Sequence, residues 1–202
     1  MADRTGTAVR NTTEVDIQVA INLDGGPYEV SLAVKAEELN LGGITTYTHF
    51  LEQVFRHGEL GGKIEGSGDT THHLLEDVGR CLGEAIAQAI GTGAGIERMW
   101  FTRVPLGGSF GEVALDFGGR GDSFFEFDKT GNEEIAGMMQ HMLTSMALHG
   151  KFEIQCKIGR FEGASVSVHH EIEALCKAFG RVIHHAIEIT RQDIIPSTKG
   201  VL

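Results

Sequence analysis

From Glu14 to Leu23 apolar and polar residues alternate, with β-branched Val15, Ile17, Val19 and Ile21 on one face, and Tyr28 to Val34 repeats the pattern. A period of two predicts strands with one buried face, and the intervening Asp24-Gly25-Gly26-Pro27 predicts a hairpin turn. The period then lengthens. Apolar positions at helical spacing predict a helix over about Ile44 to His57, a short strand at Lys63 to Glu65, and a long amphipathic helix from Thr71 to Ile90 that stops at Gly91. Beyond it the same order returns. Strands are predicted near Glu97 to Val104, Gly111 to Phe117 and Ser123 to Phe127, then a helix near Glu133 to His149, a strand at Phe152 to Ile158 and a helix from His169 to Thr190.

This recurrence reflects duplication. HHLLEDVGRCLGEAIAQAI, starting at His72, aligns without a gap on HHEIEALCKAFGRVIHHAI, starting at His169; two histidines, a glutamate, a basic residue (Arg80, Lys177), a glycine (Gly83, Gly180) and a final Ala-Ile coincide. Upstream, His49-Phe50-Leu51 precedes His57-Gly58 by the same interval that separates His141-Met142-Leu143 from His149-Gly150. One duplication explains both pairs. The expected fold class is α+β, with an internal duplication of a half in which a β-sheet is covered on one face by two helices. The halves are placed at residues 1–93 and 94–202.

Composition narrows the function. With 28 acidic against 17 basic residues, the net charge of −11 repels a nucleic-acid backbone. No stretch approaches the roughly 18 apolar residues of a membrane helix, and no apolar segment follows Met1-Ala2-Asp3-Arg4-Thr5 to act as a secretory signal, so neither membrane nor nucleic acid is an expected partner and a cytoplasmic location is expected. Cys81, Cys156 and Cys176 are odd in number and lack CxxC spacing; they are read as small buried hydrophobes.

The histidines carry the chemistry. Residues four apart share a helix face, so His72 with Glu76, and His169 with Glu173, can each chelate one ion. Neighbours on a helix diverge by about 100°, so His73 and His170 must face other ions. His49 and His141 add one imidazole apiece. Six histidines and two glutamates for two ions suit Mn, Fe, Co, Ni or Zn better than Mg or Ca. His57 and His149 are read as helix C-terminal residues, and His184-His185 has no counterpart in the first half; all four are left outside the site.

With the two His-His-x-x-Glu helices and the ending Pro196-Ser197-Thr198-Lys199-Gly200, supported by Arg10-x-Thr12-x-Glu14, Gly95-Ile96-x-Arg98 and Gly119-Arg120, the chain resembles imidazoleglycerol-phosphate dehydratases of histidine biosynthesis from about Arg10 onward. The resemblance implies dehydration of imidazole glycerol phosphate to imidazole acetol phosphate, two Mn2+ per chain, and a homo-oligomer of 24 subunits with sites at their contacts. It implies the same eight metal ligands, His49, His72, His73, Glu76, His141, His169, His170 and Glu173. For the substrate phosphate it implies Arg98, Arg120, Ser197 and Lys199, and it puts Glu14 and Lys177 near the reacting carbons, Glu14 as first choice for proton transfer.

The chain departs from the family pattern where acidic or amide residues are expected, at Thr48, Thr70-Thr71, Gly107-Gly108 and Ser165-Val166-Ser167, and a longer interval separates His141 from His169 than His49 from His72. Those departures bear on activity more than on fold or metal binding, and they define the alternative, a catalytically impaired metal-binding paralogue acting as a scaffold or ligand-binding protein. A di-metal hydrolase is a further reading. The Ser-Thr-Lys-Gly tail shows no apolar face of its own, so an anionic ligand is the expected reason for it to be ordered.

Overall fold

The computed structural model describes residues 4–36, 42–127, 133–190 and 194–202, so the opening Met1-Ala2-Asp3 lies outside the described residues. The first half runs β1 (Thr5–Asn11), β2 (Val15–Asn22), β3 (Tyr28–Val34), α1 (Gly43–Gly58), β4 (Gly61–Gly68) and α2 (Thr71–Ile90). The second runs β5 (Met99–Leu106), β6 (Ser109–Asp116), β7 (Ser123–Phe127), α3 (Glu133–Gly150), β8 (Glu153–Arg160) and α4 (Val168–Ala186). Each half forms a four-stranded sheet, with orders β1-β2-β4-β3 and β5-β6-β8-β7. The orders are equivalent, as duplication requires.

Alternation decides which face of each sheet is buried. In β2, Val15, Ile17, Val19 and Ile21 point inward while Asp16, Gln18 and Ala20 face out. α2 lies on the inner face of the first sheet and α4 on that of the second, and the halves meet through their helices, α2 against α3 and α1 against α4. One continuous apolar core spans both halves. Tight helix crossings set the geometry. A Cβ on Gly83 of α2 would stand 2.3 Å from the Met146 carbonyl oxygen of α3, and one on Gly180 of α4 would stand 2.5 Å from the Val54 carbonyl oxygen of α1. These paired glycines, already visible as coincident positions in the duplicated helices, let the backbones of the two halves touch.

Four expectations need correction. The Asp24–Pro27 turn does not close a hairpin: β4 inserts between β2 and β3, pairing antiparallel with one and parallel with the other. Hairpins lie instead at β1–β2, joined by residues 12–14, and at β5–β6, where Gly107 and Gly108 form a two-residue loop with φ of 60° and 90°, values that suit a type I′ turn. β1 is an unforeseen strand and β4 is longer than expected, for one reason. Glycines hold inward positions in both, Gly6 against the Ala85 carbonyl and Gly66 and Gly68 beneath Leu74, and glycine contributes nothing to a hydropathy pattern. α4 ends at Ala186 rather than Thr190, because the backbone N–H groups of Arg98 and Glu97 donate to the Ala186 and Glu188 carbonyls and draw the chain into a bridge between Ile96 and Ile189.

No helix among the described residues is long and apolar enough to cross a membrane. All three cysteines are buried.

Candidate metal and phosphate sites

Both His-His pairs sit in the first turn of a capped helix. Thr70 caps α2, its hydroxyl accepting from the His73 backbone N–H at 3.2 Å, and Ser167 caps α4 by accepting from the His170 N–H at 3.3 Å. Each cap contributes about 1 kcal/mol and fixes the direction in which the histidines leave the helix. Two of the positions that depart from the family pattern therefore have a structural task. Thr48 has one too, donating its hydroxyl to the Ile44 carbonyl within α1.

The structure gathers six of the eight expected ligands into two equivalent groups, His72–Glu76–His141 and His49–His169–Glu173, the donor atoms of each lying within 4.8 Å of one another. In the first, Glu76 Oε2 is 3.6 Å from His72 Nε2 and 3.1 Å from His141 Nε2. In the second, the Glu173 oxygens are 3.5 Å from His169 Nε2 and 3.9 Å from His49 Nε2. Two donors each about 2.1 Å from a shared ion stand about 2.9 to 3.4 Å apart at octahedral or tetrahedral angles, so small rotamer adjustments suffice to close both sets. Each group draws on both halves: α3 carries His141 to α2, and α1 carries His49 to α4. The close helix crossings at Gly83 and Gly180 make that reach possible.

His73 and His170 do not join these groups. The His73 ring is nearly perpendicular to that of His72, and its Nδ1 pairs with Asp69 Oδ1 at 2.9 Å, which raises the imidazole above its ordinary pKa and lowers the carboxyl. The His170 ring stands at 69° to that of His169 and lies beside the Gly107 turn, where a Cβ would approach its Nδ1 to 3.3 Å. Divergence of adjacent histidines is therefore observed, and these two imidazoles stand outside both groups. Asp69 is a functional candidate that sequence reasoning missed. The acidic partner expected just before His72, where the chain has Thr70-Thr71, is Asp69, four residues before His73, a spacing that was open to inspection.

Within the second group, burial pushes the Glu173 carboxyl up, but the ion pair with Lys177 at 2.8 Å and the nearby His49 and His169 outweigh it and hold the carboxyl below its usual range. Partial burial lowers His169, with His49 and His170 adding to the effect, which favours the neutral ligand form. The neighbouring carboxylate of the motif, Glu171, turns away into the core and pairs with Arg160 at 2.8 Å. Lys177 thus belongs to this group. Glu14 lies by the other one, its carbonyl accepting from the Asp69 N–H at the start of α2 and its charge acting on His73.

Arg98, Arg120, Ser197 and Lys199 line one cavity of about 410 Å³. Arg98, in a left-handed conformation with φ of 77°, makes a two-pronged pair with Asp116 at 2.6 and 2.9 Å and donates to the Pro196 carbonyl at 2.7 Å. It ties the tail down more than it adds free charge, which leaves Arg120 and Lys199 as the cations for an anion. The tail does have an apolar anchor, contrary to expectation: Leu202 packs on the core and against Gly93 and Gly119, so no ligand is needed to order it. That signal lay beyond the Ser-Thr-Lys-Gly motif.

The cavity and the histidine groups occupy opposite ends of the long helices. Arg98 is bonded to Ala186 at the end of α4, and Leu202 meets Gly93 just past α2, whereas the histidines lie in the first turns. Helices of 20 and 19 residues separate their ends by roughly 25–30 Å. No small molecule spans that distance within one chain.

Against known families, the model for imidazoleglycerol-phosphate dehydratase matches residues 42–183. The chain is similar to the imidazoleglycerol-phosphate dehydratase of Deinococcus radiodurans, with 36% identity over 98% of this chain and 99% of that one. To the protein of the same name from Bordetella avium it is 37% identical, over 98% and 100%. Among solved structures it resembles the Pyrococcus furiosus protein, with a TM-score of 0.76, 24% identity and coverage of 96% and 100%. The Staphylococcus aureus protein gives 0.74, 22%, 92% and 99%. The two structures support the α+β fold with its repeated half.

Proposed function

The chain belongs to the imidazoleglycerol-phosphate dehydratase family, whose members are hydro-lyases of histidine biosynthesis, and from that premise we propose a metal-dependent dehydration of imidazole glycerol phosphate to imidazole acetol phosphate. Two divalent transition ions per chain, Mn2+ as the resemblance implies, would be held by His72, Glu76 and His141 and by His49, His169 and Glu173, with His73 and His170 reaching ions of neighbouring chains. The observation that carries the reading is the pair of equivalent two-imidazole, one-carboxylate groups, each assembled from both halves. Such a donor set fits this class of ion.

The reaction takes a proton from carbon and expels hydroxide, and an unactivated C–H is too weak an acid for a side chain alone. Bound metal would polarise the imidazole ring and let it accept the charge left by the departing proton. Around that chemistry the chain's own residues divide the work. Glu14, at the entrance to α2, accepts the proton. Lys177 assists from the α4 group, where its ammonium already donates to Glu173. Asp69 fixes the orientation of His73. Arg120 and Lys199, with the Ser197 hydroxyl, bind the phosphate in a pocket shaped by Arg98.

Because that pocket and the histidine groups are far apart in one chain, a working site takes its phosphate cations from one copy and its metal ligands from another. A homo-oligomer follows, 24 subunits by the resemblance. The exposed apolar outer face of the second sheet, with Met99, Phe101 and Phe124, supports self-association. Thr48, Thr70 and Ser167 serve helix structure and Asp69 supplies an acidic partner to His73, so no observation here favours an impaired paralogue.

The test is turnover. Purified protein supplied with Mn2+ and imidazole glycerol phosphate should form imidazole acetol phosphate, lose activity on chelation with EDTA and regain it on adding Mn2+. Folded, Mn2+-loaded protein that does not turn over this substrate would refute the proposal.

A further inference from the structure

A third His-His-x-x-Glu sequence, His184-His185-Ala186-Ile187-Glu188, lies where α4 ends, in a place the dehydration chemistry does not use. Its three side chains converge, with all donor atoms within 4.8 Å. Glu188 Oε1 is 2.9 Å from His185 Nδ1 and 3.6 Å from His184 Nε2, separations that bracket those of two donors on one ion.

Convergence here is not a consequence of helical spacing alone. Glu188 lies past the end of the helix, and its backbone is held by the Glu97 N–H, which donates to its carbonyl at 2.9 Å, and by its own N–H, which donates to the His185 carbonyl at 3.3 Å. The His185 ring is fixed from its other side by Trp100, with centroids 4.9 Å apart. Arg4 reaches the adjoining Ile187 carbonyl, but its charge is neutralised by Asp24 at 2.7 Å. All three side chains are partly exposed, which leaves room for water beside them.

We propose that His184, His185 and Glu188 form a third metal site that takes a late divalent transition ion of borderline softness, Ni2+, Zn2+ or Cu2+, and so staples the last turn of α4 to the segment that leaves it. Two imidazoles and one carboxylate select such ions over Mg2+ and Ca2+. The site is separate from the two groups described above, since His169 stands sixteen residues earlier on α4, roughly 24 Å away.

The protein contains one tryptophan, Trp100, beside this site, and it provides the readout. Ni2+ added to the native protein should quench Trp100 emission saturably, and equilibrium dialysis should count one more Ni2+ per chain in the native protein than in a His184→Gln/His185→Gln double variant. Glu188→Gln, which keeps both imidazoles and the fold, should raise the Ni2+ concentration for half-quenching at least about tenfold, the effect of losing one ligand interaction worth roughly 1.4 kcal/mol. Because the count is a difference between two proteins, it stands whether or not the other histidine groups bind metal. Native Trp100 emission indifferent to Ni2+, or a double variant that retains the native stoichiometry, would overturn the proposal.

Discussion

Replacing Gly83 by alanine tests how the two halves are brought together. In an isolated helix the change stabilises by about 1 kcal/mol, because glycine loses more backbone freedom on folding. Here the new methyl would stand 2.3 Å from the Met146 carbonyl oxygen and 2.7 Å from the Gly150 nitrogen, and both are backbone atoms that cannot swing aside. Reaching an ordinary contact distance requires α2 and α3 to separate by about 1 Å, enough to forfeit a quarter to a half of each dispersion contact along their crossing. Overpacking of this kind costs up to about 3 kcal/mol, so the net loss is about 2 kcal/mol. For a chain of this size that lowers Tm by roughly 4–8 °C. Gly137 of α3 is the internal control: a Cβ there meets nothing within 4 Å, so Gly137→Ala should instead raise stability by about 0.5–1 kcal/mol. Thermal unfolding of the metal-free proteins by far-UV circular dichroism reads both changes. Separation also draws His141 from Glu76, so Gly83→Ala should bind metal more weakly at that group alone. Native-like stability of Gly83→Ala, or destabilisation by Gly137→Ala, would refute the close-approach reasoning.

Asp69→Asn should bring the His73 imidazole down toward its ordinary value in an NMR titration of metal-free protein, since the Asp69 hydrogen bond is the main reason it is raised. The folded imidazole value is raised and the folded carboxyl value lowered, so the pair stabilises the fold above the ordinary carboxyl pKa and below the ordinary imidazole pKa. That contribution fades as pH rises through the folded His73 value or falls through the folded Asp69 value; a His73 titration unmoved by the substitution would show that the pair is not formed. Lys199→Ala should raise the dissociation constant for a phosphate-bearing substrate or inhibitor roughly tenfold to hundredfold, the equivalent of about 1.5–3 kcal/mol, with metal content unchanged. Leu202→Ala should weaken the same binding without touching a charge, by releasing the tail; unaltered affinity in both variants would mean that the cavity is not the phosphate site.

Much of the fold was legible because duplication wrote it twice. Helix α2 is observed with the bounds its periodicity predicts, and the coincidence of Gly83 with Gly180 was visible, although the backbone contact that each makes with the other half was not. What escaped lay where the burial signal is carried by glycine, as in β1 and β4, or where pairing depends on distant segments, as when β4 separates β2 from β3. Helical spacing brought His72 to Glu76 and His169 to Glu173, but not the exchange by which His141 completes the first group and His49 the second, since that depends on how helices cross. The Arg98 pair with Asp116 and the Leu202 anchor were invisible for the same reason: each joins residues far apart in sequence whose types are unremarkable singly.

Mixing two disabled chains tests most directly the claim that dehydration occurs at a site shared between copies. His49→Asn/His141→Asn breaks both histidine groups but keeps the cation pocket, whereas Arg120→Ala/Lys199→Ala breaks the pocket but keeps both histidine groups. Each alone should be inactive. Dissociated with EDTA, mixed in equal amounts and reassembled with Mn2+, they should regain dehydration of imidazole glycerol phosphate at about a quarter of the native sites, the fraction at which an intact pocket meets an intact metal group by random pairing. Mixed oligomers that form but show no activity above that of the separate variants would contradict the account.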